Sequence, residues 1–176
     1  ALPICRLKGV FHRMIQTIDG LLPDTDYEIM LVRANEASET VTFHTEPEPI
    51  TLNVRDFGAF GDGVHDDTSA IQAAILCCPK NARVLIPKGT YPVTALFLKS
   101  DMILELQENA VLAGIYDRAR TPILPGQIEY DNEDGYYNLG SWEGNPIDSF
   151  ASMITGIHVK NVTICGKGVL DGRADF

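Results

Sequence analysis

Residues 54–75 read VRDFGAFGDGVHDDTSAIQAAI, and the fold turns on this stretch. Gly58, Gly61 and Gly63 tolerate positive φ and permit a tight loop. Asp66 and Asp67 then stand side by side, just after His65. Adjacent carboxylates can share a proton or bind a metal, but acidic residues also settle at helix N-termini. The residues after the pair favour the helix. Asp67, Thr68 or Ser69 can cap it, and Ser69-x-x-Gln72 fits a capping box. Ile71, Ala74 and Ile75 fall on one face, and Pro79 ends the run. The calcium-loop pattern fails because Val64 takes the third position of a loop starting at Asp62. The Lys-[Ser/Thr] of a phosphate loop does not come after the glycines.

Downstream, short strands succeed one another. Arg83 to Ile86, Val93 to Leu98, Met102 to Leu106, Ala110 to Ala113, Gly156 to Val159, Val162 to Cys165 and Gly168 to Leu170 all read as extended. Asn53 to Phe57 reads as one more, ahead of the glycines. No long helices separate these strands, so a doubly wound sheet is excluded, because its parallel strands need crossover helices. Short strands with irregular turns and no Asn-Gly hairpin signals suit a parallel β-solenoid. The first coil of a solenoid has an open end. An amphipathic helix placed just before the strands is a physical way to cover it, and that is how residues 54–75 are read.

Upstream, residues 1 to about 48 look all-β. An alternating run from Tyr27 to Val32, a polar turn at Asn35 to Ser38 and a second run from Thr40 to Phe43 lead into Glu46-Pro47-Glu48-Pro49, a linker. Leu21-x-Pro23-x-Thr25-x-Tyr27 resembles the tyrosine-corner segment of fibronectin type III domains. Such sandwiches need ~100 residues, so a partial copy is expected here, with an unrelated β-hairpin as the alternative.

The net charge of −10 and the lack of a Lys/Arg cluster argue against nucleic acid. An acidic chain also repels polyanions at long range, so an anionic ligand needs a local cation. No apolar run approaches the ~18 residues of a membrane helix, and no signal segment opens the sequence, which starts at Ala1. Cys5, Cys77, Cys78 and Cys165 match no zinc spacing and read as small hydrophobes rather than a disulfide framework. His12, His44, His65 and His158 are scattered. No metal or cofactor is expected.

One segment stands apart. Tyr116 to Ser152 holds four of the six tyrosines and the single tryptophan. Loops this long are functional or disordered, and disordered loops are poor in aromatics. Aromatic rings beside Asp, Glu and Asn suit sugar faces and hydroxyls. Trp142, Glu143 and Asn145 are the candidate substrate contacts. The alternative is that the aromatics only pack the loop onto the solenoid, and one loop can do both.

Together these motifs carry a resemblance. Val54-Arg55-Asp56-Phe57-Gly58-Ala59, Gly61-Asp62-Gly63 and Asp66-Asp67-Thr68-x-Ala70-Ile71-Gln72-x-Ala74-Ile75 resemble the N-terminal signature of pectin-lyase-like right-handed parallel β-helix proteins, and Pro87-Lys88-Gly89-Thr90-Tyr91 resembles their next block. Tyr137-Asn138-Leu139-Gly140-x-Trp142-Glu143-Gly144-Asn145-Pro146, Phe150-Ala151-Ser152 and Gly166-x-Gly168-x-x-Asp171-Gly172 resemble bacterial polygalacturonases of glycoside hydrolase family 28, above all exo-acting members with a fibronectin-type domain in front. The implied fold is all-β: N-terminal coils of a parallel β-helix with a capping α-helix over 49–176, preceded by the partial sandwich over 1–48. The implied activity is inverting hydrolysis of polygalacturonate or oligogalacturonides, without a metal. A long loop that blocks one end of the groove would favour exo action. The implied location is secreted or periplasmic. Oligomeric state stays open.

The family's Asn-Thr-Asp, Asp-Asp, Gly-His-Gly and Arg-Ile-Lys motifs lie beyond the position of Gly172, and Asp66-Asp67 precedes the solenoid, in the wrong place to stand for them. No catalytic residue is therefore assigned, and these 176 residues are expected to be inactive alone. The competing expectations are a non-catalytic carbohydrate-binding or phage-tail-like β-helix, and a pectate lyase using calcium.

Overall fold

Pro47 and Pro49 fall where a β ladder has to stop. In the computed structural model the chain divides beside them into two units, Ala1–Pro49 and Ile50–Phe176. The structure describes residue 18 and residues 20–33, 36–129 and 135–173, the side chains of 31–39 excepted. Cys5 and His12 lie outside the described residues.

In the first unit, β1 (Asp26–Arg33) pairs antiparallel with β2 (Glu36–His44), Tyr27 standing opposite Phe43. The Tyr27 ring stacks on Phe43 at 5.7 Å, and its hydroxyl accepts a 2.7 Å bond from the Leu22 amide. Of the polar turn expected at Asn35 to Ser38, Glu36 to Ser38 belong to β2 instead, and Asn35 lies outside the described residues. The carboxylates of Asp26 and Asp24 each meet one ring nitrogen of His44 and raise its pKa.

The second unit begins with β3 (Thr51–Asn53). The strand does not run on to Phe57 as expected. The Asn53 side chain accepts from the Arg55 amide at 3.0 Å, and residues Val54–Phe57 curl into a 3-10 turn closed by Gly58 at φ 94. Helix α1 (Thr68–Cys77) comes next, its buried residues being Ile71, Ala74 and Ile75.

Then come the coils. β4 (Ala82–Ile86), β5 (Gly89–Val93) and β6 (Leu96–Phe97) form the three sides of the first. The single strand expected at Val93 to Leu98 is thus two pieces around a corner at Thr94. β7 (Met102–Leu106) and β8 (Ala110–Gly114) begin the second coil. Six two- or three-residue strands interrupt it: β9 (Ile123–Leu124), β10 (Gln127–Glu129), β11 (Tyr136–Asn138), β12 (Ser141–Trp142), β13 (Asn145–Pro146) and β14 (Ser149–Phe150). β15 (Ile154–Thr155) then supplies its third side, pairing parallel with β6. The strand expected at Gly156 to Val159 is absent, since His158 (φ 52) and Asn161 (φ 54) turn the chain there. β16 (Val162–Gly166) and β17 (Val169–Asp171) lie on the next level.

All of these coil strands are parallel. One sheet runs β16-β7-β4-β3, a second β17-β8-β5, a third β15-β6. Ala82 stands on Met102 and Met102 on Val162, so alternate residues of successive strands stack in columns. Ala82, Val84, Ile86, Met102, Leu104 and Leu106 point inward and are buried. They join Tyr91, Leu96 and Leu112, with Ile71, Ala74 and Ile75 of α1, in one core. Each such Val, Leu or Ile contributes about 1.5–3 kcal/mol. Cys78 belongs to this core, whereas Cys77 and Cys165 are exposed, so the reading of all cysteines as buried hydrophobes holds for Cys78 alone of these three.

The open edge of the first coil is closed side by side. β3 pairs with β4. The loop at 61–67 lies along β5: Thr90 N donates to Gly61 O (3.0 Å), Gly63 N to Thr90 O (2.8 Å) and Asp67 N to Pro92 O (2.9 Å). Helix side chains serve β6: the Gln72 amide takes the Phe97 N–H at 2.8 Å and gives to the Phe97 carbonyl at 2.9 Å, while Thr68 Oγ1 takes the Thr94 N–H at 2.9 Å. The capping box Ser69-x-x-Gln72 therefore does not form, because Gln72 is engaged on the sheet.

Asp67 is the N-cap residue of α1, but its side chain makes no cap hydrogen bond. It turns inward, 1% exposed, and accepts from Phe60 N at 2.6 Å and Gly61 N at 3.0 Å. This fixes the loop against β5. Gly61 (φ 63) must pass so close that a Cβ there would come within 2.6 Å of the Tyr91 ring. Replacing Asp67 by Ala leaves two amides without acceptors. We expect Asp67→Ala to lower the unfolding free energy by about 2–4 kcal/mol, and Ser69→Ala by less than about 0.5 kcal/mol, as read by urea titration. Equal losses would contradict the assignment.

Candidate functional site

The segment inserted between β8 and β15 is built around Gly126. Its carbonyl accepts from Leu139 N (2.9 Å) and Gly140 N (3.3 Å), and its amide donates to Asp148 Oδ1 at 2.8 Å. A Cβ at Gly126 would lie 2.3 Å from Ile147 N, so only glycine fits. Around it β10 pairs with β11, β12 with β13, and β14 with β9, all antiparallel.

The three predicted contact residues fall together on the β12–β13 hairpin. Trp142 stands directly opposite Asn145, which puts both side chains on one face. Glu143 (φ 49) and Gly144 (φ 84) are the two central turn residues, both left-handed, the arrangement of a two-residue type I′ hairpin. No Asn-Gly announces this turn, because Glu143 takes the place of Asn. Trp142 is 70% exposed, and Glu143 and Asn145 are exposed beside it. A flat indole can lie on the C–H face of a sugar, while the amide and the carboxylate meet hydroxyls. The alternative, that these rings pack the loop onto the coils, does not describe Trp142 at this exposure.

Other side chains tie the insertion to the coils. The Tyr116 hydroxyl donates to the Gly172 carbonyl. The Tyr137 ring meets His158 edge-on at 4.6 Å. Arg120 pairs with Asp66, whose other oxygen accepts from the amide and hydroxyl of Thr68 at the start of α1. Asp66 and Asp67 are thus separated in role: one faces Arg120, the other is sealed inside the loop. Neither is available to share a proton or a metal. Sequence reasoning did not find the Arg120–Asp66 link, for 54 residues separate the partners.

Asp62 lies on the same loop. The amides of His65 and Val64 and the His65 ring lower its pKa to about 2. His65 Nδ1 sits 2.6 Å from it, and the His65 ring stacks on Phe60 at 4.3 Å. Among the described residues, no group of three His, Cys, Asp or Glu is placed to hold a metal ion. Also among them, no helix is long and apolar enough to cross a membrane.

Known proteins resemble this chain in sequence and in fold. The family model described as rhamnogalacturonase A/epimerase, pectate lyase-like matches residues 51–169. An exo-poly-alpha-D-galacturonosidase of Dickeya chrysanthemi is 36% identical over 172 residues, covering 92% of this chain and 27% of that protein. The family 28 exopolygalacturonase of Yersinia enterocolitica superposes with a TM-score of 0.70 at 37% identity, over 88% of this chain and 27% of that one. A hyperthermoactive exopolygalacturonase from Thermotoga maritima superposes with a TM-score of 0.57 at 29% identity, over 73% of this chain and 27% of that one. The chain thus spans about a quarter of the length of these relatives.

If Asp66 and Arg120 hold the base of the insertion, Arg120→Ala should speed amide exchange over residues 117–124 about tenfold and leave β4 and β7 unchanged, read by hydrogen–deuterium exchange. Unchanged exchange at 117–124 would show that the pair is ornamental, as many exposed ion pairs are.

Proposed function

The chain belongs to the rhamnogalacturonase A/epimerase, pectate lyase-like family, and on that premise we propose that it serves in a glycoside hydrolase cutting polygalacturonate, from chain ends and with inversion. The observation that carries the reading is the β12–β13 hairpin, with Trp142, Glu143 and Asn145 exposed together on an insertion into an otherwise regular coil. The three exo-acting relatives matched over most of this chain support the substrate and the mode. An insertion rising beside a coil is suited to close one end of a groove and so admit only a chain end.

In this reading the parts are divided. Residues 49–176 are coils of a right-handed parallel β-helix that positions the hairpin. Residues 1–48 are a partial fibronectin type III-like sandwich, a view supported by the bond from Leu22 N to the Tyr27 hydroxyl, as in a tyrosine corner. Trp142 supplies a stacking face, and Glu143 and Asn145 bind hydroxyls. An inverting glycosidase needs an acid and a base ~6.5–9.5 Å apart with room for water. Asp67 is buried and doubly bonded, and Asp66 is ion-paired, so neither is assigned as acid or base. A polymeric substrate of this size places the enzyme outside the cytoplasm, secreted or periplasmic.

The test is a reducing-end assay on polygalacturonate run beside a binding titration with trigalacturonate. The chain is expected to bind without releasing galacturonate, and Trp142→Ala to weaken binding about fivefold to tenfold. Release of galacturonate by this chain would move the acid and base back into these residues. Absence of binding would remove the substrate assignment.

A further inference from the structure

Resting on the function proposed above, we propose that Arg118, laid on the ring of Phe150, is a binding position for a uronate carboxylate. The need for such a group comes from charge. A chain of net charge −10 repels an anionic sugar at long range, so a carboxylate must be met by a cation fixed at the surface. Arg55, Arg83 and Arg120 do not serve. Arg55 donates to the carbonyls of Phe60 and Lys88, Arg83 pairs with Glu105, and Arg120 pairs with Asp66.

Arg118 differs. It is exposed, and its guanidinium carbon lies 5.7 Å from the centre of the Phe150 ring. The described residues offer it no carboxylate partner. The adjacent carboxylate, Asp117, is turned back onto its own loop, where Oδ1 accepts from Ala119 N at 3.0 Å.

Both members of the pair are held. Asp117 O accepts from Arg120 N at 3.0 Å and Thr121 N at 3.2 Å, which closes the turn that carries Arg118. Phe150 pairs with Ile123 in β14–β9, and Ala151 N donates to Pro122 O at 2.8 Å. A guanidinium resting on an aromatic face keeps its N–H fork for an incoming carboxylate, which it can grip with two bonds. Because the ring limits its rotamers, less side-chain entropy is lost on binding. Arg118 and Trp142 both stand on the insertion, so a charged subsite and a stacking subsite are carried by the same segment. The ligand class is an anionic sugar, not a neutral one.

The test compares trigalacturonate with its fully methyl-esterified form by calorimetry, on the whole chain and on Arg118→Ala, Arg118→Lys and Trp142→Ala. Arg118→Ala is expected to weaken trigalacturonate about tenfold and the ester less than twofold, with Arg118→Lys recovering part of the loss. If Arg118→Ala leaves trigalacturonate unchanged while Trp142→Ala weakens it, this inference falls and the proposed function stands. Equal loss for acid and ester would make Arg118 a support of the loop, not a carboxylate ligand, and would also overturn it. If neither sugar binds the unsubstituted chain, both readings fall.

Discussion

A stack of parallel coils has one unavoidable difficulty, the row of unpaired amides and carbonyls on its first coil. Left open, that row would recruit another strand. Here each side is met by a different device. A short strand pairs with β4, a loop lies along β5, and helix side chains bond to β6. The buried Asp67 carboxylate holds the middle device in place by gathering the amides of Phe60 and Gly61. Local helix capping is given up in return. The Asp67 side chain serves the loop and Gln72 serves the sheet, and the N-terminus of α1 is left to Asp66, which accepts from Thr68 N.

Once that end is closed, the coils can carry an interruption. The first rung advances 20 residues, from Ala82 to Met102, and the next 60, from Met102 to Val162. The added residues leave at Gly114 and return at Ile154, where β15 resumes pairing with β6. The columns of inward side chains are not disturbed, so the core does not register the detour. Variation of this kind, outside a rigid frame, is where binding chemistry is expected. Trp142, Asn145 and Arg118 all stand on it.

Much of the frame was legible because it rests on short apolar runs and on local turn chemistry. The strands at 83–86, 102–106 and 162–165 read as short extended runs between turns with no long helix among them, and the helix comes from Ile71, Ala74 and Ile75 on one face. What escaped depends on partners far apart. Nothing near Gln72 announces Phe97, 25 residues on, so the capping box was the natural local reading. Asn53 ended a strand early through a side-chain bond that competes with the ladder. Glu143 hid a hairpin by taking a positive φ in place of glycine or asparagine. At the site, Trp142, Glu143 and Asn145 were legible as a group because two residues of turn bring them together. Arg118 on Phe150 was not, since the contact exists only after β9 and β14 have paired.

Residues 51–72 finish the first coil as an added rung would, and native-state hydrogen exchange at single amides tests this most directly. Thr90, Thr94 and Phe97 donate to Gly61 O, Thr68 Oγ1 and Gln72 Oε1. These three amides are expected to exchange only with the cooperative opening that also releases Leu104, deep in β7. If they exchange at the rate of free surface amides while Leu104 stays protected, the cap only rests against the coil and does not complete it.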